Sequence, residues 1–297
     1  MNEMLKEAPS AASQWQAFLQ LILREKNGGS ILARCRHEGP LYVQKPFYPE
    51  GRETAHVYIL HPPGGIVSGD ELNIDIQLED KAQALFTTPG AGRVYRARHD
   101  KQAQCVTITL NAAENAQLEW LPLENIFYPG AHTRMNTRIR LHKTSRFIGW
   151  DVSSFGLPAQ GEKFNKGQIS QRLEIWRDDK PCLIEHLLSN PENDNLLSAK
   201  SGMQNLPING IFVAGPFDDE KQAEALITQL RELPLTPLET DTPARVLLGI
   251  SYVNQFIVAR FLGECSQYAK HVFTQYWQTL RPELLSRPAC LPRIWAT

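Results

Sequence analysis

Period-two patterning runs through most of this chain and leaves few folds open to it. From residue 15 to about residue 262, apolar and polar side chains alternate or gather in compact runs rich in β-formers. Leu72-Asn73-Ile74-Asp75-Ile76-Gln77-Leu78 alternates strictly. Comparable runs cover 17–24, 31–36, 41–44, 55–60, 83–88, 103–110, 116–121, 137–142, 147–153, 169–177, 181–188, 208–214, 246–253 and 256–262. Gly39-Pro40, Pro89-Gly90, Pro129-Gly130 and Asn209-Gly210 punctuate them. Short strands between such turns describe a mainly β fold, a large coiled or stacked β-sheet that is β-helix-like or a sandwich. Asn254-Gln255 lies between the last two runs and suits a hairpin turn.

Two helices interrupt this pattern in the C-terminal third. The first is expected over 218–231, with Asp218 as its cap and Ala223, Leu226, Ile227 and Leu230 as its apolar stripe. The second is expected over 264–280, carrying Tyr268, Val272, Phe273, Tyr276, Trp277 and Leu280, with Pro282 following. Its aromatic content suits a partner surface as well as a core. Residues 1–14 read as a flexible tail and 15–297 as a single β-rich domain.

Charge and cysteine usage narrow the function classes. The formal net charge is −1, which argues against a nucleic-acid binder held by bulk electrostatics. The five cysteines are scattered and lack a C-x-x-C pair, so neither a disulfide framework nor a structural zinc site is expected. No apolar run suits a signal peptide or a membrane span, and a cytoplasmic location is expected. No nucleophile elbow, H-E-x-x-H helix, Walker A loop or Rossmann fingerprint is present.

The stretch His61-Pro62-Pro63-Gly64-Gly65-Ile66-Val67-Ser68-Gly69-Asp70 connects two of the expected strands. Its prolines fix φ and its glycines open backbone angles closed to other residues. Such a turn either brings backbone close to something or aims Asp70 into a confined space. Asp151 and Glu185 are further acids set in apolar runs. Such an acid faces either solvent, on the polar side of its strand, or the interior, where it needs a partner, water or a cation to offset desolvation. Oxygen ligands of this kind hold divalent ions weakly and reversibly. Basic residues gather at Arg93, Arg96, Arg98, His99 and Lys101, and again at Arg134, Arg138, Arg140, His142, Lys143 and Arg146. Alternate spacing puts these charges on one strand face, as a solvated edge or a docking surface for an acidic partner.

In order along the chain, these stretches resemble the urease accessory protein UreD family, also called UreH. The resemblance rests on Gly39-Pro40-Leu41-Tyr42-Val43-Gln44-Lys45-Pro46-Phe47-Tyr48-Pro49, on the His61 to Asp70 signature, and on Thr87-Thr88-Pro89-Gly90-Ala91 with Val94-Tyr95-Arg96. It continues through Leu118-Glu119-Trp120-Leu121-Pro122, Pro129-Gly130-Ala131, Gly161-Glu162-Lys163-Phe164 and the ending Pro292-Arg293-Ile294-Trp295. The chain departs from the family where Gly156 is followed by Leu157 instead of arginine, and 189–204 matches no block.

The resemblance implies a non-enzymatic scaffold that helps deliver nickel to the urease active site, in a complex with UreF and the GTPase UreG and in contact with urease apoprotein. It implies no tightly bound cofactor, only transient Ni2+, and a passage lined by Asp70, Asp151 and Glu185, with His61, Gly64, Gly65 and Gly69 as the signature motif. A competing reading is a cupin-like β-barrel metalloenzyme with His56, His61 and Asp70 as ligands. A third is an adaptor that never touches metal. A long β chain with aromatic partner surfaces is also expected to dissolve poorly alone.

Overall fold

The computed structural model describes residues 15–234 and 245–296. The expected tail over 1–14 lies outside the described residues. Strands dominate, arranged in two large mixed sheets that do not close into a barrel.

The architecture grows from one course that the chain repeats. A long strand, Glu71–Leu78, turns tightly into Gln83–Thr87 and then into the short strand Gly92–Val94. The next course runs Gln104–Ala112, Gln117–Trp120 and Asn125–Phe127. A third runs His132–Leu141 and Arg146–Leu157, and Gln168–Arg177 opens a fourth. Each long strand pairs in parallel with its predecessor, so Ile76, Leu110, Ile139 and Ile175 stack in one row. Leu21 of the strand Gln16–Lys26 extends that row at the start. The result is a β-helix-like coil, with its second sheet built from the shorter strands and Thr54–Leu60.

Antiparallel strands finish both sheets. Gly29–Glu38 and Lys180–Ser189 form the edges of the first. The second is extended past Arg146–Leu157 by Ile208–Gly215, Phe256–Gly263 and Val246–Val253. Asn254 (φ 47°) and Gln255 (φ 72°) make the expected hairpin turn, both in the left-handed region that a two-residue primed turn requires.

Alternation assigns side chains to layers. Phe256 and Val258 join the core between the two sheets, whereas Ile257, Ala259 and Phe261 join a second core under the helices. Helix α1 (Glu220–Glu232) and helix α2 (Ser266–Leu285) cover this outer face of the second sheet. Ala223, Leu226, Ile227 and Leu230 are buried as the stripe implied. The α1 cap is Asp219, whose Oδ1 accepts from the Lys221 amide at 2.9 Å, not Asp218. Asp218 instead pairs with Arg146 at 2.9 Å.

The aromatic stripe of α2 is consumed by the fold. Val272, Phe273, Tyr276, Trp277 and Leu280 are buried against the sheet, and Trp295 packs on Trp150 and Trp277. Helix α2 also runs on through Pro282 to Leu285. The reason lies next door: Arg281 is wholly buried and bound to Glu119, Glu50 and the Pro288 carbonyl. That tether outweighs the missing proline N–H.

Candidate functional site

The interior face of each strand should be apolar, and where it is not, a site forms. Thr137, Asp151, Ser153 and Gln171 all fall at inward positions of their strands. The strand Arg146–Leu157 holds Phe147 and Phe155 in the core between the sheets, in the same phase as Asp151 and Ser153. Asp151 thus lies between the layers. The surface it retains borders cavities between and beside the sheets.

Asp151 is shared by two of these cavities. One, about 320 Å3, runs between the sheets and is walled largely by apolar side chains such as Ile59, Ile74, Val106 and Met135, with His61 and Asn125 among its polar members. The other, about 520 Å3, reaches from Asp151, Ser153 and Gln171 out to Glu185 and Arg260. Burial pushes the Asp151 carboxyl above its ordinary value, and hydrogen bonds from Gln171 and Asn125 only partly offset this. Gln171 Nε2 donates to Oδ2 at 3.0 Å, and Asn125 Nδ2 donates to Oδ1 at 3.4 Å. Among the described residues no cation side chain is bonded to it. Glu185 is less enclosed and pairs with Arg260 at the outer cavity's wall.

Asp70 takes a different role. It is 4% exposed, and its oxygens accept from the Trp15 amide at 3.1 Å and the Val67 amide at 2.9 Å. It is not among the residues lining either cavity. Asp70 therefore holds the turn that ends in it, each of its oxygens accepting one backbone N–H. The rest of the signature builds the cavity wall. His61, Gly64, Gly65 and Ile66 line the inner cavity. Gly64 and Gly69 have φ of 72° and 87°. A Cβ on Gly65 would fall 2.2 Å from the Tyr95 ring, so glycine is needed for that approach. Ser68 holds the following loop, accepting from the Arg98 amide at 2.7 Å and from Arg98 Nη2 at 2.6 Å.

The three proposed barrel ligands do not converge. His56 is fully buried, with Nε2 2.7 Å from Glu50 Oε1. His61 faces the inner cavity, its pKa lowered by burial against a smaller upward pull from Asp70. Among the described residues no three His, Cys, Asp or Glu side chains form a metal-holding group. The sheets are open, so the cupin-like barrel is not formed.

The basic clusters also resolve. Arg134, Arg138 and Arg140 share the outer face of the first sheet, as their spacing implied. Arg138 is bound there to Glu174 at 2.8 Å. Arg96, Arg98, His99 and Lys101 lie beyond the strand Gly92–Val94, in a loop, and line an open cleft with His132 and Lys166. The unmatched segment 189–204 is a series of turns that contributes Leu196, Gly202 and Met203 to the outer cavity. Among the described residues no helix is long and apolar enough to cross a membrane.

Sequence reading found Asp151 and Glu185 but missed Asn125, Ser153 and Gln171. A polar side chain in the apolar phase of a strand was the available signal for Ser153 and Gln171. Nothing local marks Asn125.

The chain matches the family model described as UreD urease accessory protein over residues 16–296. A urease accessory protein UreD of Marinomonas sp. (strain MWYL1) is 45% identical over 301 residues, covering 100% of this chain and 94% of that protein. Its counterpart in Alcanivorax borkumensis is 42% identical, over 95% of this chain and 92% of that protein. The Klebsiella aerogenes counterpart is 39% identical, over 97% of this chain and 99% of that protein. With the match running from the first described strand to the C-terminal turn, this chain belongs to the UreD family of urease accessory proteins.

Proposed function

We propose that this chain is a non-catalytic scaffold of urease maturation that passes nickel toward the urease active site, acting in the cytoplasm in a complex with UreF and UreG. The observation that carries this reading is the enclosed carboxylate of Asp151, shared by an inner cavity and an outer one that reaches Glu185. Nickel is cargo here, not a resident cofactor. The donors fit that task. Carboxylates, amides and a hydroxyl are hard, weak ligands, and among the described residues no cysteine lines either cavity to trap the ion. The wall of the inner cavity is largely apolar, with scattered polar side chains such as His61 and Asn125 on the way to Asp151. Asp70 serves the passage indirectly, by fixing the turn whose neighbours form the wall.

The test is nickel-dependent urease activation in cells grown at limiting nickel. Asp151→Asn is expected to lower activation at least about 10-fold, with the accessory complex still assembled. Glu185→Gln is expected to lower it less, because that residue is half exposed and already paired with Arg260. Wild-type activation by the double variant, with an intact complex, would overturn the passage.

A further inference from the structure

Each oxygen of Asp151 is covered by an amide, and the two amides belong to different cavities. Asn125, on Oδ1, lines the inner cavity, and Gln171, on Oδ2, lines the outer one. A primary amide is a donor on one side and an acceptor on the other, and a half-turn exchanges them. In the observed orientation both amides present NH2 to the carboxylate. That orientation suits an anion with no cation beside it. Rotated, each would present a carbonyl oxygen, which repels a bare carboxylate and coordinates a cation bound to it.

The surroundings of Gln171 support both states. Ser153 Oγ lies 3.1 Å from Gln171 Oε1 and 3.0 Å from Nε2. A hydroxyl both donates and accepts, so it can bond whichever amide atom is turned toward it. On the other side, Asn125 Oδ1 rests where Gly92 lacks a side chain: a Cβ there would lie 2.5 Å from it. Rotation of Asn125 exchanges oxygen for nitrogen in that space without changing its size.

Resting on the passage reading, we propose that Asn125 and Gln171 are amide gates. They seal Asp151 by hydrogen bonds when it is empty. On arrival of a divalent cation they rotate to form an oxygen-only site with Asp151 and Ser153. Occupancy and orientation are coupled, because the rotated form is favoured only with the cation present. The arrangement gives entry and exit separate latches, one facing each cavity. The all-oxygen donor set of the rotated form holds the cation weakly enough to release it.

The test measures nickel binding by equilibrium dialysis, with nickel chloride as the only probe. It uses the full chain in its accessory complex and takes the difference from Asp151→Asn as the Asp151-dependent component. Gln171→Leu is expected to weaken that component about 10-fold or more. Gln171→Glu, which offers oxygen in every orientation, is expected to retain it while slowing release in a chelator chase. Gly92→Ala, which displaces Asn125 without touching Asp151 or Gln171, is expected to weaken it too, and serves if Gln171→Leu does not fold. Wild-type binding by Gln171→Leu and Gly92→Ala, with Asp151→Asn deficient, would end the gate and leave the passage standing. If Asp151→Asn itself binds nickel and activates urease normally, the passage falls and the gate with it.

Discussion

Replacing Arg281 with methionine should expose how much of this fold depends on one buried cation. Arg281 is fully enclosed in α2. Its Nε donates to Glu119 Oε2 at 2.9 Å, and its Nη1 and Nη2 donate to Glu50 at 2.8 and 2.7 Å. Glu119 also accepts from Trp277 Nε1 at 2.6 Å, and Glu50 bonds His56 at 2.7 Å. The cluster therefore pins α2 and the C-terminal segment to the second sheet and to the loop before Thr54. Arg281→Met leaves the buried Glu119 and the partly buried Glu50 without their bonded guanidinium, with Arg287 as the cation remaining nearby. Removing one partner of a buried pair costs about 3–5 kcal/mol, and the upper end applies here. At about 2–4 °C per kcal/mol for a large domain, the melting temperature falls by about 10–20 °C.

The pH dependence identifies the cause. Burial works to raise the Glu50 pKa, but bonds from His56 and Arg281 and the Arg281 charge bring it down to about 2, from an ordinary 4.5. A depressed carboxyl contributes stability above the unfolded value, and loses it as pH falls toward the folded one. The wild-type protein therefore loses this contribution between about pH 4.5 and about pH 2. In the variant the Arg281 contributions are gone and only the His56 bond still opposes burial, so the carboxyl titrates higher than in the wild type and acid relieves the repulsion. The gap in melting temperature between the two proteins should narrow from pH 7 to pH 4.5. Adding Glu50→Gln and Glu119→Gln to the variant should recover much of the loss at pH 7. Calorimetric melts of the full-length protein showing a gap independent of pH, and no recovery, would refute the electrostatic reading.

Other perturbations have equally definite signs. Asp151 titrates high because of burial, so its cost to stability is absent below the unfolded value and grows as pH rises through the folded one; Asp151→Asn should melt higher at pH 7 and unchanged at pH 4, and equal shifts at both would contradict this. Gly65→Ala should cost about 1–3 kcal/mol by overpacking, and adding Tyr95→Leu should restore part of it; denaturant titration reads both. Glu185→Gln should change stability by less than about 1 kcal/mol, since exposed pairs contribute little, while still slowing nickel-dependent activation. Ile184 and Leu188 are 47% and 52% exposed on the edge strand Lys180–Ser189; changing both to lysine should raise the soluble yield of the isolated chain, measured after centrifugation.

Much of the architecture was legible because strand formation leaves a local record. Alternation in 72–78 placed each side chain on the face it occupies, since the pleat has period two. The Asn254-Gln255 turn and the α1 stripe were equally local. Caps and ends were less so. Asp218 and Asp219 are both competent caps, and Arg146, far off in sequence, decided between them by claiming Asp218. Pro282 signals a helix end, and the buried Arg281 beside it overrides the signal.

The candidate site divides in the same way. An acid in an apolar run faces either solvent or the interior, so the sequence by itself determined only that an inward Asp151 would need a polar or cationic neighbour. It also determined the β-rich class, the family signature and the glycine-rich turn. Only the tertiary structure decided that Asp70 spends its oxygens on two amides, that Glu185 shares a cavity with Asp151, and that Asn125 and Gln171 meet at one carboxylate. The physical reason is that periodicity fixes which way a side chain points, whereas its neighbours depend on which strands the coil stacks together, and that register is set across gaps of tens of residues.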